Sequence, residues 1–295
     1  MISIVVCSKD LQLYNNLQKS LEETIGKVKY EIIRINNLKE NLSIAKAYNL
    51  GIRQSNYEYL LFIHEDILFH SINWGKTVIN IFENNLNIGL LGVAGTKYKS
   101  KFPSAFWHTR EDLLSFNVIQ HYPHKEPRHI KIGFSNSNLE NVVAIDGVFM
   151  MLKKNTGIQF NEEIEGFHCY DMSISLDVLI KGYEIVVTDQ ILIEHFSSGK
   201  ANVDFIKGIV EFHKLYKNKL PNWVDKKDLL LESLALKKFL ELCLYNRYVP
   251  LKFWLFNFLY NPLDKLNFNI LKFKVYQIKN KLKINAKSFN NNSKL

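Results

Sequence analysis

The stretch Tyr57–Ile67, YEYLLFIHEDI, restricts the fold more than any other. Residues 59–63 are apolar without alternation, which suits a strand buried on both faces in the middle of a parallel sheet. His64, Glu65 and Asp66 follow at once. In open α/β sheets the carboxyl ends of the strands border the ligand crevice. Two adjacent carboxylates there repel each other unless a cation or a donor-rich ligand lies between them, and hard divalent ions such as Mg²⁺ or Mn²⁺ take oxygen ligands. The stretch therefore predicts a cation-diphosphate site. The plainer alternative is a solvated loop opened by two acids.

The flanking chain supplies the rest of a doubly wound half-sheet. Ser3–Val6 reads as a strand, and Asp10 caps a helix whose Leu13, Leu17, Leu21 and Ile25 share one face, with Gly26 at its end. Tyr30–Ile35 is a second strand, Ser43 caps a second helix, and Tyr57–Ile63 is the third strand. This β-α-β-α-β order is the first half of a nucleotide-binding type of sheet. Residues 73–85 read as a helix, 89–94 as a strand, and 97–140 as a long irregular segment of the kind that forms substrate loops. After it come the strand VVAI, the dipeptide Asp146-Gly147, the apolar run VFMML, a helix capped by Asp171, and short strands ending at His195.

Charge divides the chain. Residues 1–200 hold 20 Lys+Arg against 22 Asp+Glu, whereas residues 201–295 hold 18 against 7. The whole basic excess lies in the last third, which predicts a separate role toward an anionic surface. The organisation expected is a catalytic unit over 1–200, a helical extension over 201–264, and a basic, partly disordered tail over 265–295. With 47% apolar residues, a disordered chain is excluded. The three cysteines form no CxxC pair, which argues against a disulfide framework or a thiolate zinc site and fits a reducing cytoplasm. The N-terminus reads as a first strand rather than a signal peptide, and no run approaches the ~18 apolar residues that span a bilayer.

No GxGxxG, GxxxxGK[ST] or GxSxG occurs, so the phosphate cradles of dinucleotide oxidoreductases and P-loop kinases and the esterase elbow are lacking. The basic tail carries no nucleic-acid recognition module. What remains is a set of acids and a histidine at sheet ends: Glu65, Asp66, Asp146, Asp171 and His195.

With those residues, the runs AKAYNLGIRQSNYEYLLFIHEDI, AIDGVFMMLKK, FHCYDMSISLDVLIKGYEIVV and IEHFSSG resemble a bacterial family-two glycosyltransferase of GT-A fold, in the branch whose acidic motif reads His-Glu-Asp. The likeness covers residues 1–200. It implies an inverting transfer of sugar from a nucleotide-diphosphate sugar, a UDP-sugar above others, to a hydroxyl of a cell-surface glycan or lipid-linked precursor, assisted by Mn²⁺ or Mg²⁺. By the resemblance, Asn49 and Gly51 lie beside the nucleotide, Glu65 and Asp66 bind the metal, and His195 completes its shell. Asp146, Gly147 and His168 line the sugar and acceptor side, and Asp171 is the catalytic base. Asn36-Asn37 stand where the family carries an acid against uracil. The rival is a non-catalytic binder of sugar nucleotides or glycans on the same scaffold. For the tail, leucine and aromatics mixed with lysine over 229–260 suit a peripheral anchor on the anionic inner face of the cytoplasmic membrane; the alternative is packing on the catalytic unit or a second subunit.

Overall fold

The computed structural model describes residues 1–292 apart from 136, 198 and 200, with the backbone alone over 281–292. The chain begins β1 (Ile2–Ser8), α1 (Leu11–Thr24), β2 (Tyr30–Asn36), α2 (Ile44–Gln54), β3 (Tyr59–Ile63). Local chemistry accounts for these boundaries. Asp10 accepts hydrogen bonds from the amides of Gln12 and Leu13, and Ser43 accepts one from Lys46, each satisfying orphan donors of a first turn. Gly26 takes a φ of +80° just past α1, the left-handed conformation that suits glycine after a helix.

Next come β4 (Ile67–Phe69), α3 (Trp74–Asn84), β5 (Ile88–Gly92), β6 (Ala94–Thr96) and β7 (Tyr98–Lys99), then β8 (Leu114–Tyr122) and β9 (Lys125–Ile132). Beyond them lie β10 (Leu139–Val142), β11 (Ala144–Ile145), β12 (Phe149–Lys153), α4 (Tyr170–Ile180), β13 (Glu184–Thr188) and β14 (Ile193–His195). The segment expected to be irregular, 97–140, is corrected here. Its centre is an antiparallel hairpin in which Phe116 faces Ile132 and Val118 faces Ile130.

The main sheet has the order β10-β13-β5-β12-β3-β1-β2. Its β2-β1-β3 half and the β5–β13 pair are parallel, while β12 runs antiparallel between β3 and β5. All five residues of β3 are buried. Leu60 and Phe62 join one apolar cluster with α2 and α4, and Tyr59, Leu61 and Ile63 join a second with α1 and α3. Burial on both faces is the physical reason for the unbroken apolar run. A second sheet, β11-β6-β8-β14-β4 with β9 on β8, stands over the carboxyl end of β3. The β3–β4 connection carries residues 64–66 between the two sheets.

The chain continues as α5 (Val203–Leu215), β15 (Asn222–Trp223), α6 (Leu229–Tyr245), α7 (Leu251–Tyr260) and α8 (Lys265–Asn292). Leu236, Phe239 and Leu240 of α6 and Leu266 and Ile270 of α8 enter the same cluster as α4 and α5, so the C-terminal helices share the catalytic core. Where a partly disordered tail is expected, α8 continues as helix; residues 293–295 lie outside the described residues. No helix among the described residues is long and apolar enough to cross a membrane.

Candidate active site

In the bend between β3 and β4, His64 and Asp66 face one side of the chain, while Glu65 turns the other way onto the amides of Lys9 and Asp10. His195, at the end of β14, meets the first two because β14 pairs antiparallel with β4, with His195 opposite Ile67. His64 Nδ1 lies 3.8 Å from Asp66 Oδ1, and His195 Nε2 lies 3.6 Å from the same oxygen. One ligand atom from each of the three residues falls within 4.8 Å of the others.

The far ring nitrogens are held from behind. His195 Nδ1 is 3.2 Å from Gln120 Oε1. The amide of Gln120 donates to the carbonyl oxygens of Ser197 and His121, which fixes Oε1 as the acceptor and makes Nδ1 the protonated ring nitrogen. His64 Nε2 is 2.6 Å from Tyr170 Oη. His195 therefore turns its bare Nε2 lone pair toward Asp66, and Tyr170 holds the His64 ring from the far side, the arrangement second-shell partners give metal-ligating histidines. Burial raises the Asp66 carboxyl, but its polar neighbours His195, His64 and Ser197 outweigh that and hold it well below the usual carboxylate range. Burial and the neighbouring His195 lower the His64 imidazole. Two imidazoles and one carboxylate fit a divalent cation, and the nitrogen donors favour Mn²⁺ over Mg²⁺.

Glu65 is corrected as a metal ligand. Its carboxylate accepts the backbone amides of Lys9 and Asp10 at 3.1–3.2 Å, so it ties the β1–α1 turn to the end of β3. Asn49 and Gly51 are corrected as nucleotide contacts. Asn49 is buried, with its side chain bonded to both backbone groups of Phe160 and to Glu162. Gly51 lies against Val5, where a Cβ would collide with the valine side chain. Both fasten α2 to its surroundings. Asn37 is likewise occupied, bonded to the backbone of Leu42 in both directions.

Asp171 is corrected as a helix cap. Cys169, at φ +64°, precedes α4 without a side-chain cap, and Asp171 is the second helical residue. Its Oδ1 accepts the Met172 amide at 2.8 Å. Burial and the adjacent Asp146 push its carboxyl up to about 7 against the pull of the Met172 and Gly147 amides. Asp146 accepts the Val148 amide at 2.8 Å. Gly147 permits close approach, since a Cβ there would strike the Tyr170 hydroxyl. A cavity of about 170 Å³ has His64, Asp146, Gly147, His168, Asp171 and His195 in its wall. His168 packs edge-on against Phe205.

The structure thus brings Asp66, Asp146, Gly147, His168, Asp171 and His195 to one place and leaves Glu65, Asn49 and Gly51 outside it. His64, Tyr170 and Gln120 were missed by sequence reasoning. The i, i+2 spacing of His64 and Asp66 was the available signal for the first.

Residues 3–206 match the model of a family described as a glycosyltransferase like family. Among solved structures, GalNAc-T7 with UDP, GalNAc and Mn²⁺ is similar at a TM-score of 0.50 and 9% identity, over 90% of this chain and 58% of that one. S. aureus TarS gives 0.48 and 12%, over 82% of this chain and 43% of that one. A TarS fragment in complex with UDP gives 0.48 and 12%, over 83% and 72%. The chain thus spans less than half of TarS and little more than half of GalNAc-T7. No curated protein matches the chain by sequence.

Proposed function

The chain belongs to the glycosyltransferase like family, and from that premise we propose that it moves a sugar, with inversion, from a UDP-sugar to a hydroxyl of a surface glycan or its lipid-linked precursor. It is a glycosyltransferase of GT-A fold. The observation that carries the finer reading is the sharing of one cavity by Asp171, whose carboxyl is pushed up to about 7, and the His64–His195 pair that faces Asp66.

A base must be partly ionised at working pH yet basic enough to take a hydroxyl proton, and a carboxyl near 7 meets both conditions. The acceptor oxygen forms its bond to the anomeric carbon, its proton passes to Asp171, and the bond from that carbon to the diphosphate oxygen breaks with its electron pair leaving on the nucleotide. A divalent ion held by His64, Asp66 and His195 would offset the charge on that leaving diphosphate. Gln120 and Tyr170 keep the two imidazoles aimed, and Gly147 lets Tyr170 approach. The structure of GalNAc-T7 with UDP, GalNAc and Mn²⁺ supports the same donor and ion. Measuring UDP release from a panel of UDP-sugars, with Mn²⁺ and then with chelator, tests this. Release that needs the ion and falls at least ~10²-fold in Asp171→Asn is expected. Full activity in chelator, or unchanged turnover in the variant, refutes it.

We assign the outer face of α7 and α8 to an anionic membrane surface. Leu255, Phe258, Leu259, Phe268, Leu271 and Val275 are exposed, among lysines that include Lys252, Lys265, Lys272 and Lys274. An apolar face of this kind with basic neighbours suits the lipid interface, and its charge opposes pairing with a second copy. Vesicles with anionic lipid are expected to retain the protein, and Leu255→Glu with Leu259→Glu to release it. Retention of that variant refutes the assignment.

A further inference from the structure

A second and larger cavity, about 590 Å³, adjoins the first and shares Phe106, Trp107, Gln120, Asp146 and His195 with it. Asp146 and His195 stand in the wall common to both, and Asp171 and His64 line the smaller one. Its volume falls in the range of small-molecule sites, which are mostly apolar with a few convergent polar groups.

The floor is one face of the β8–β9 hairpin. Every second residue of β8 lines it: Leu114, Phe116, Val118, Gln120 and Tyr122. Ile130 and Ile132 extend the same face from β9, across from Val118 and Phe116. Polar groups collect toward the catalytic end, where Gln120 is engaged with His195. At the side, Lys238 is turned onto the carbonyl oxygen of Thr109. Thr109, also in the wall, has a buried hydroxyl with no hydrogen-bond partner. A bare sugar laid along Leu114, Val118, Ile130 and Ile132 would lose water from its hydroxyls without regaining partners. A diphosphate would meet no cluster of donors there. An apolar group loses nothing.

We propose that this trough is the aglycone subsite of the acceptor: an alkyl or aryl group attached next to the reacting hydroxyl lies along the β8–β9 face while that hydroxyl reaches Asp171. This rests on the glycosyl-transfer reading above and deepens it.

The test is binding of methyl, butyl, hexyl and octyl β-D-glucosides, below micelle formation, and of phenyl β-D-glucoside, to the full chain, followed by calorimetry. Affinity is expected to rise two- to fourfold per methylene, since burying one changes binding by up to about fourfold. The gain should vanish in Ile130→Asp and persist in Leu259→Glu, which alters the exposed helical face instead. Should Ile130→Asp fail to fold, Ile132→Gln, on the edge strand, carries the same expectation. A steeper gain for phenyl than for hexyl marks an aryl aglycone and the reverse an alkyl chain. Affinity independent of chain length, or a gain that survives both hairpin variants, overturns the proposal. Binding of UDP with Mn²⁺ to the unaltered protein, measured separately, reports on the donor reading alone. A chain that binds UDP but ignores aglycone length loses the subsite and keeps the transferase assignment. One that shows the length dependence without binding UDP keeps an apolar binding trough but loses the donor reading, and with it the aglycone role.

Discussion

Asp171→Asn should weaken catalysis and strengthen the fold, and the second effect should depend on pH in a defined direction. The Asp171 carboxyl has an ordinary value of 3.8 and stands at about 7 in the folded chain because burial and Asp146 disfavour its charge. The folded state therefore holds a proton that the unfolded chain releases above pH ~4. For a group raised on folding, the associated stability is complete below the unfolded value and is lost as pH rises through the folded one. At 1.36 kcal/mol per pH unit, a full loss by pH 8 would approach ~4 kcal/mol. Solvent in the cavity and the Met172 amide at 2.8 Å screen the charge, and ~2 kcal/mol is the working figure. Asparagine keeps the shape and the acceptor without the charge. The variant should thus gain ~2 kcal/mol at pH 8 and nothing at pH 4, a Tm rise of about 3 °C at the higher pH. Thermal melts of both proteins in chelator at the two pH values decide it. Equal melting-point differences at pH 4 and pH 8, or a variant less stable at pH 8, would refute the assignment of a strained, raised carboxyl. In the same pH window kcat/KM should climb as Asp171 ionises, and that limb should be absent in the variant.

Asp66→Asn and His195→Ala should each abolish Mn²⁺ stimulation of donor turnover, whereas Glu65→Gln, on the opposite side of the chain, should keep it; loss of stimulation in Glu65→Gln would return that carboxylate to the metal. Mn²⁺ should support more turnover than Mg²⁺, since two of the three donors are imidazoles, and equal rates would count against the triad. Gly147→Ala should push Tyr170 off His64, costing ~1–3 kcal/mol and weakening Mn²⁺ affinity about 10-fold or more; unchanged affinity by titration would remove Tyr170 from its aiming role. Glu232→Ala should destabilise by ~3 kcal/mol or more in denaturant melts, because the buried carboxylate bonds Tyr98, Ser100 and Lys101 and its loss strands those donors. A change within ±0.5 kcal/mol would show that α6 docks by apolar contact alone.

Much of the scaffold is dictated locally. The caps at Asp10 and Ser43, the glycine after α1 and the unbroken apolar run of β3 each follow from neighbours within a turn or two, so the β-α-β-α-β opening is legible in the chain. The hairpin β8–β9 was not read from the chain: Leu114, Phe116 and Val118 alternate with Ser115 and Asn117, but the polar residues beyond obscure the pattern. The acid-bearing sheet ends could be named from the sequence. What it could not decide was which side chains face one another. Side-chain direction separates His64 and Asp66 from Glu65, and strand pairing brings His195 to them across more than a hundred residues. Burial beside Asp146 turns an ordinary acid in a first helical turn into a carboxyl near neutrality. Asn49 looks like a ligand contact until Phe160 and Glu162 are seen to occupy it. Chain chemistry sets the elements because it acts over a few residues; the site depends on distances between remote segments, and only the packed structure fixes those.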